Sequence, residues 1–175
     1  VSVMGSSGAG KSTLLHSLGT LDKADEGIIK FKDQDITRLK DKDLARFRNQ
    51  QLGFVFQFHN LFPEFTALEN ICIPAYIAGG NEKEAEVKAM KLMDLLHITH
   101  RAHHKPSQMS GGEQQRTAVA RALINSPEII FADEPTGNLN SAQGREIMEL
   151  FTQLNKQGTT IVQVTHSESN AEYGN

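Results

Sequence analysis

The sequence predicts an α/β fold, a mainly parallel sheet flanked by helices, and three observations carry that prediction. Short apolar stretches alternate along the chain with stretches of helical pattern. One of them, Ile129–Ala132, is apolar at every position, as a strand is when both faces are covered in the middle of a parallel sheet. Between Thr66 and Pro106 the pattern is helical throughout, which predicts an all-helical segment inserted into the α/β frame.

Taken in order, Val1–Met4 reads as a short buried strand and Lys11–Leu18 as the helix that follows a glycine-rich loop. Gly27–Phe31 reads as a second strand, closed by the turn-prone Asp33-Gln34-Asp35. Asp41–Asn49 makes a short helix and Gly53–Phe56 another apolar strand. Thr66, with Glu69 three residues on, has the spacing of a capping box and opens the helical stretch that runs to Ile98. Gly79-Gly80 breaks that stretch, after which Ala89, Leu92, Met93 and Leu96 share one helix face. Pro106 ends the insert. Ser110-Gly111-Gly112 begins a helix through Leu123 with Ala118, Val119 and Ala122 on its inner side. Asn140 or Ser141 caps a helix to about Lys156, and Thr159–Thr165 is the last strand, ending at His166.

The 175 residues are enough for one domain with a sizeable core, and 38% hydrophobic against 22% charged is the balance of a globular chain. A net charge of −3, from 18 basic and 21 acidic residues, supplies no basic field for a nucleic acid, so no such partner is expected. The single cysteine, Cys72, excludes an internal disulfide and reads as a small apolar residue. The longest uncharged apolar stretch, Ile71–Gly80, falls well short of the ~20 residues a membrane helix needs. His97, His100, His103 and His104 lie close together, but no cysteine or carboxylate joins them at zinc-like spacing; a solvated helix end is the expectation.

Chemistry enters at Gly5-Ser6-Ser7-Gly8-Ala9-Gly10-Lys11-Ser12, followed by Thr13, which satisfies G-x-x-x-x-G-K-[ST] in full. Glycines let backbone N–H groups turn inward around phosphate oxygens, and the helix starting at Lys11 points its positive end the same way. Lys11 supplies charge to the β- and γ-phosphates, and the Ser12 hydroxyl is a Mg2+ ligand. Downstream, Asp133 closes an apolar strand and can reach that Mg2+, while Glu134 beside it can orient and deprotonate an attacking water. Ser110-Gly111-Gly112-Glu113 opens another helix, hence a second anion-binding terminus. One triphosphate rarely needs two, which suggests a second copy of the protein completing the site.

Together these motifs resemble the nucleotide-binding domain of an ATP-binding cassette (ABC) ATPase, a P-loop NTPase, over nearly the whole chain. Gly5–Ser12 matches Walker A, Gln57 the Q-loop, Ser110–Gln114 the signature, Ile129–Glu134 Walker B, Asn138-Leu139-Asn140 the D-loop and His166 the switch histidine. Phe65–Ile71, Ser110–Arg116 and Pro135–Leu139 are similar to the bacterial lipoprotein-release and macrolide-export type, a group that includes a cell-division ATPase. The resemblance implies one ABC domain over residues 1–175, partial at both ends, with residues 66–106 as its helical subdomain.

It further implies ATP and Mg2+ as ligands, bound in a head-to-tail homodimer. Gly5 through Thr13 would hold the nucleotide, with Ser12, Gln57 and Asp133 at the metal and Lys11, Gln57, Glu134 and His166 catalytic. Ser110, Gly111, Gly112 and Glu113 would act on the γ-phosphate held by the other copy. The cycle would drive integral membrane permease subunits from the cytoplasmic face of the inner membrane, with Phe58, Leu61, Phe62, Phe65 and Leu68 edging the groove that receives them. The alternative is a soluble or scaffolding ABC ATPase, in cell division or on nucleic acid, that transports nothing. The chain departs from the family at Glu113, often glutamine, and at Asn140, usually aspartate. It also lacks the preceding segment that carries an adenine-stacking aromatic, so Val1 is expected to be a cut edge.

Overall fold

The computed structural model describes residues 1–174. Four strands, β1 (Ser2–Met4), β4 (Leu52–Phe56), β5 (Ile129–Asp133) and β6 (Thr160–Thr165), form one sheet in the order β1-β6-β5-β4. Every pair in it is parallel, with Met4 opposite Thr165, Phe56 opposite Asp133 and Asp133 opposite Val164. The helices are α1 (Lys11–Leu18), α2 (Asp41–Gln51), α3 (Ala67–Ile77), α4 (Glu82–Leu95), α5 (Gly111–Leu123), α6 (Ser141–Lys156) and the short α7 (Glu168–Ala171).

The strand side chains alternate between two cores, as the period of two requires. Leu52, Phe131 and Val164 pack with Leu15 of α1, joined by Phe54, Val162, Val3 and Phe47 of α2. Val55, Ile130, Ala132 and Ile161 face the other way, into a larger cluster with α3, α4, α5 and α6. That alternation is what makes β5 apolar from Ile129 to Ala132, because both of its faces are covered. The Phe54 and Phe131 rings stack across the first face with centroids 5.8 Å apart.

One element departs from expectation. Gly27–Phe31 is not a strand of the main sheet: only Lys30–Phe31 (β2) is extended, and it pairs antiparallel with Gln34–Asp35 (β3), which the sequence marks as turn. Lys32, at φ 53°, makes the tight reversal, and the Phe31 ring packs edge-on against Phe47 at 5.1 Å. As Gly79-Gly80 predicts, the Thr66–Ile98 stretch is broken into two helices: Gly79 adopts φ 80° and Asn81 caps α4 by accepting from the N–H groups of Lys83 and Glu84. The expected capping box at Thr66 is present, with Thr66 N–H donating to Glu69 Oε2 at 2.7 Å. No helix among the described residues is long and apolar enough to cross a membrane.

Candidate functional site

Because the four strands run parallel, their carboxyl ends lie along one edge of the sheet, and each delivers one piece of sequence there. The end of β1 enters the Gly5 loop, β4 ends before Gln57, β5 before Glu134 and β6 before His166. A cleft of about 600 Å³ at this edge is lined by Ser7, Gly8, Gly10, Lys11, Ser12, Thr13, Gln57, Asp133, Glu134 and His166.

The phosphate loop is shaped by its glycines. Gly8 and Gly10 stand at φ 79° and 85°, a left-handed backbone that a side chain would oppose, and nothing lies within 4 Å of a Cβ added at either. Gly10 also sits at the N-cap of α1 and offers no side chain, so the first N–H groups of that helix stay available to an anion. Lys11 Nζ donates to the carbonyls of Gly5 and Ser6, both at 2.9 Å, and Ala9 N–H closes onto Ser6 O at 3.3 Å. The loop is thus wound around its own lysine.

Ser12 Oγ donates to Asp133 Oδ1 at 3.0 Å, bringing together two hard oxygens from positions 121 residues apart. One hydroxyl and one carboxylate completed by phosphate oxygens is a donor set that fits Mg2+. Glu134 turns sharply off the strand at φ 45°, its N–H bonded to Val164 O at 3.0 Å. Its carboxylate meets His166 Nδ1 at 2.8 Å and the Thr165 hydroxyl at 3.3 Å. With Nδ1 donating, the Nε2 of His166 is left to accept or to find another partner. Gln57 is held by Asn138: its Nε2 donates to Asn138 Oδ1 at 3.3 Å, and Asn138 Nδ2 donates back to Gln57 O at 2.9 Å.

Ser110, Gly111, Gly112 and Glu113 do not line this cleft. They form the start of α5, beside the Asn138–Asn140 stretch and α6, where a Cβ on Gly112 would come within 2.6 Å of Gln143 Nε2. Ser110 is the N-cap of a complete capping box with Glu113, the same chemistry as Thr66 with Glu69. Here, however, the glutamate is buried and has further partners: Arg101 Nε donates to Glu113 Oε1 at 2.7 Å and His100 Nε2 lies 3.3 Å from the same oxygen. Burial pushes this carboxyl up, but Arg101, the N–H and hydroxyl of Ser110, and His100 outweigh it and hold the pKa at about 2. A carboxylate therefore meets His100 of the histidine-rich stretch, while no group of three or more His, Cys, Asp or Glu that could hold a metal ion is present among the described residues. Asn140, at the family's aspartate position, keeps a local role by accepting from Gln143 N–H at 3.0 Å as the cap of α6.

Sequence reasoning passed over several residues that organise the site. His16 Nε2 is 3.7 Å from Asp133 Oδ2, behind the phosphate loop. Gln115 is fully buried, and its Nε2 donates to Pro135 O at 2.7 Å, one residue past Glu134. A carbonyl can only accept, so the amide orientation is fixed, and Gln115 Oε1 faces the His59 Nδ1 to which it is hydrogen-bonded. His59 therefore carries its proton on Nδ1. Burial lowers its pKa, the Gln115 acceptor opposes that, and the charge of Arg121 adds to the lowering. Arg121 in turn donates to His59 O at 2.7 Å and Asn60 O at 2.6 Å, pinning two successive left-handed residues just past Gln57. The motif letters gave no signal for this relay, since it joins residues 56 positions apart.

The family model of the ABC transporter matches residues 1–137. The ATP-binding protein LolD of the lipoprotein-releasing system of Cytophaga hutchinsonii is 56% identical over 173 residues, 98% of this chain and 79% of the relative. The LolD of Bacteroides fragilis is 54% identical over 173 residues, 98% of this chain and 80% of the relative. The solved dimeric bacterial ABC transporter cassette MJ0796 superposes with a TM-score of 0.91 at 43% identity, covering 99% of this chain and 77% of its own. The same cassette in a dimeric post-hydrolysis state with ADP and Pi gives a TM-score of 0.90, again at 43% identity and covering 99% of this chain. With that family model spanning most of the chain, and relatives more than half identical along nearly all of it, the protein belongs to the ABC transporter family, as one of its ATPase domains.

Proposed function

We propose that this chain is the ATP-hydrolysing subunit of a bacterial lipoprotein-release or related export complex. It works as a head-to-tail dimer at the cytoplasmic face of the inner membrane and drives conformational change in integral membrane permease subunits. The observation that most supports this reading is the convergence of Lys11, Ser12, Gln57, Asp133, Glu134 and His166 on one cleft at the carboxyl edge of the sheet.

In this mechanism the loop Gly5–Thr13 binds the triphosphate with its backbone N–H groups and Lys11 neutralises phosphate charge. Ser12, Asp133 and Gln57 would hold Mg2+, which when bound withdraws charge from the β- and γ-phosphates. Glu134 orients the attacking water and takes its proton, and His166, already bonded to Glu134 at 2.8 Å, steadies the carboxylate. Ser110, Gly111 and Gly112 reach the γ-phosphate held by the other subunit, which agrees with their position outside this cleft. Phe58, Phe62 and Phe65 stand exposed just past Gln57, the first at 74%, and would meet the membrane subunits.

The test is the Glu134→Gln chain carried in the complete protein. With hydrolysis blocked and binding kept, Mg-ATP should convert it to a dimer on size-exclusion chromatography. A monomer under every nucleotide condition would count against a shared site.

A further inference from the structure

We propose that Arg101 is the positioning residue of the signature serine, acting on Ser110 through the carboxylate of Glu113. The inference rests on the reading that Ser110 contacts the nucleotide held by the other subunit, and it adds what aims that serine. The two oxygens of Glu113 divide the work. Oε2 accepts from Ser110 N–H at 2.7 Å and from Ser110 Oγ at 2.9 Å, while Oε1 accepts from Arg101 Nε at 2.7 Å with His100 Nε2 at 3.3 Å. A carboxylate gripped at one oxygen is held at the other, so Arg101 fixes where the Ser110 N–H and Oγ stand, and the single hydroxyl proton, given to Glu113 here, can turn to a phosphate oxygen from that fixed place.

The link also crosses elements. Arg101 belongs to the short helical turn Thr99–Arg101 after α4, whereas Glu113 and Ser110 open α5. The turn is tied to α3 as well: Leu68 N–H donates to Ala102 O at 3.0 Å and Ala67 N–H to His104 O at 2.9 Å. A movement of α3 therefore reaches Ser110 through Arg101. Within the same chain, Glu69 makes the same capping box with Thr66 on an exposed surface, where Lys105 is the weakest influence on its carboxylate. An ordinary cap needs no arginine clamp. At Ser110 the clamp is added, and Glu113, at a position often glutamine in the family, supplies the charge that pairs with Arg101 where a neutral amide would not.

The experiment compares the complete protein, assembled with its membrane subunits, as wild type, Arg101→Ala, Arg101→Lys, Ser110→Ala and the double variant Arg101→Ala/Ser110→Ala. Arg101→Ala should lower kcat about tenfold while ATP affinity of the isolated subunit stays within about twofold, because its own cleft lies elsewhere. Arg101→Lys should recover part of kcat, since lysine restores charge without the planar fork. In the Ser110→Ala background, Arg101→Ala should add nothing further, the signature of two residues acting as one unit. Full additivity, or unchanged kcat in Arg101→Ala, would overturn the proposal while leaving the role of Ser110 intact. Wild-type turnover by Ser110→Ala would instead overturn the underlying reading and the proposal with it. A parallel fall in kcat, ATP affinity and melting temperature on Arg101→Ala, unrecovered by lysine, would mark the arginine as merely structural.

Discussion

Lys11 and Gln115 show two ways in which a single side chain can hold this site. Lys11 was legible at once, because its loop is contiguous and the glycines around it announce the left-handed turns found at Gly8 and Gly10. Removing its ammonium takes away the charge facing the phosphates, so Lys11→Ala should lower kcat/KM at least about a hundredfold. Undiminished ATPase activity would refute the cradle. Gln115 was not legible, since its partners His59 and Pro135 lie 56 and 20 residues away and only folding joins them. It sits fully buried between the stretch past Gln57 and the turn past Glu134, bonded at both ends. Gln115→Met keeps the volume but orphans a buried N–H and a buried carbonyl, which costs about 2–4 kcal/mol. Urea denaturation showing a loss under about 0.5 kcal/mol would mean that water or a repacked neighbour takes over.

At the scale of elements, α5 depends on its first turn. The depressed pKa of Glu113 means that the folded chain holds the proton less tightly than the unfolded one, whose carboxyl lies near the ordinary value of 4.5. The stabilisation is therefore complete above about pH 4.5 and is lost as pH falls through about 2. It is worth on the order of 2 kcal/mol, allowing for solvent around His100. Glu113→Gln should flatten the fall of stability over that acid range; an unchanged slope would show that other carboxylates carry it. The continuous helices and parallel strands were read from pattern with ends right to within a few residues, because burial on one face or two leaves a period in the sequence. The β2–β3 hairpin is only partly legible: Asp33-Gln34-Asp35 signals a turn, but the reversal begins earlier, at Lys32 with φ 53°, and Gln34–Asp35 is the returning strand. The split between α3 and α4 was only half visible, as Gly79-Gly80 showed the break but not that Asn81 starts the next helix.

Across the whole molecule, one apolar cluster runs from α3 and α4 through α5 to β5 and α6. On that ground residues 66–106 are proposed as a subdomain of one domain rather than an independent folding unit. The sheet, however, divides the burial unequally. Among the described residues, the cluster on the α3–α6 face contains twenty-three buried hydrophobic side chains, against four on the face that carries α1. Leu15 alone anchors the phosphate-loop helix to its core. Protection against amide hydrogen exchange should follow this imbalance. Amides of α1 should open at a lower free energy than those of α5 or β5, and ATP should slow exchange in α1 far more than in the buried middle of α5, away from its first turn. Equal protection on both faces without nucleotide would contradict this. On that expectation, nucleotide bound at the phosphate loop supplies the rigidity to a helix that one buried leucine ties down.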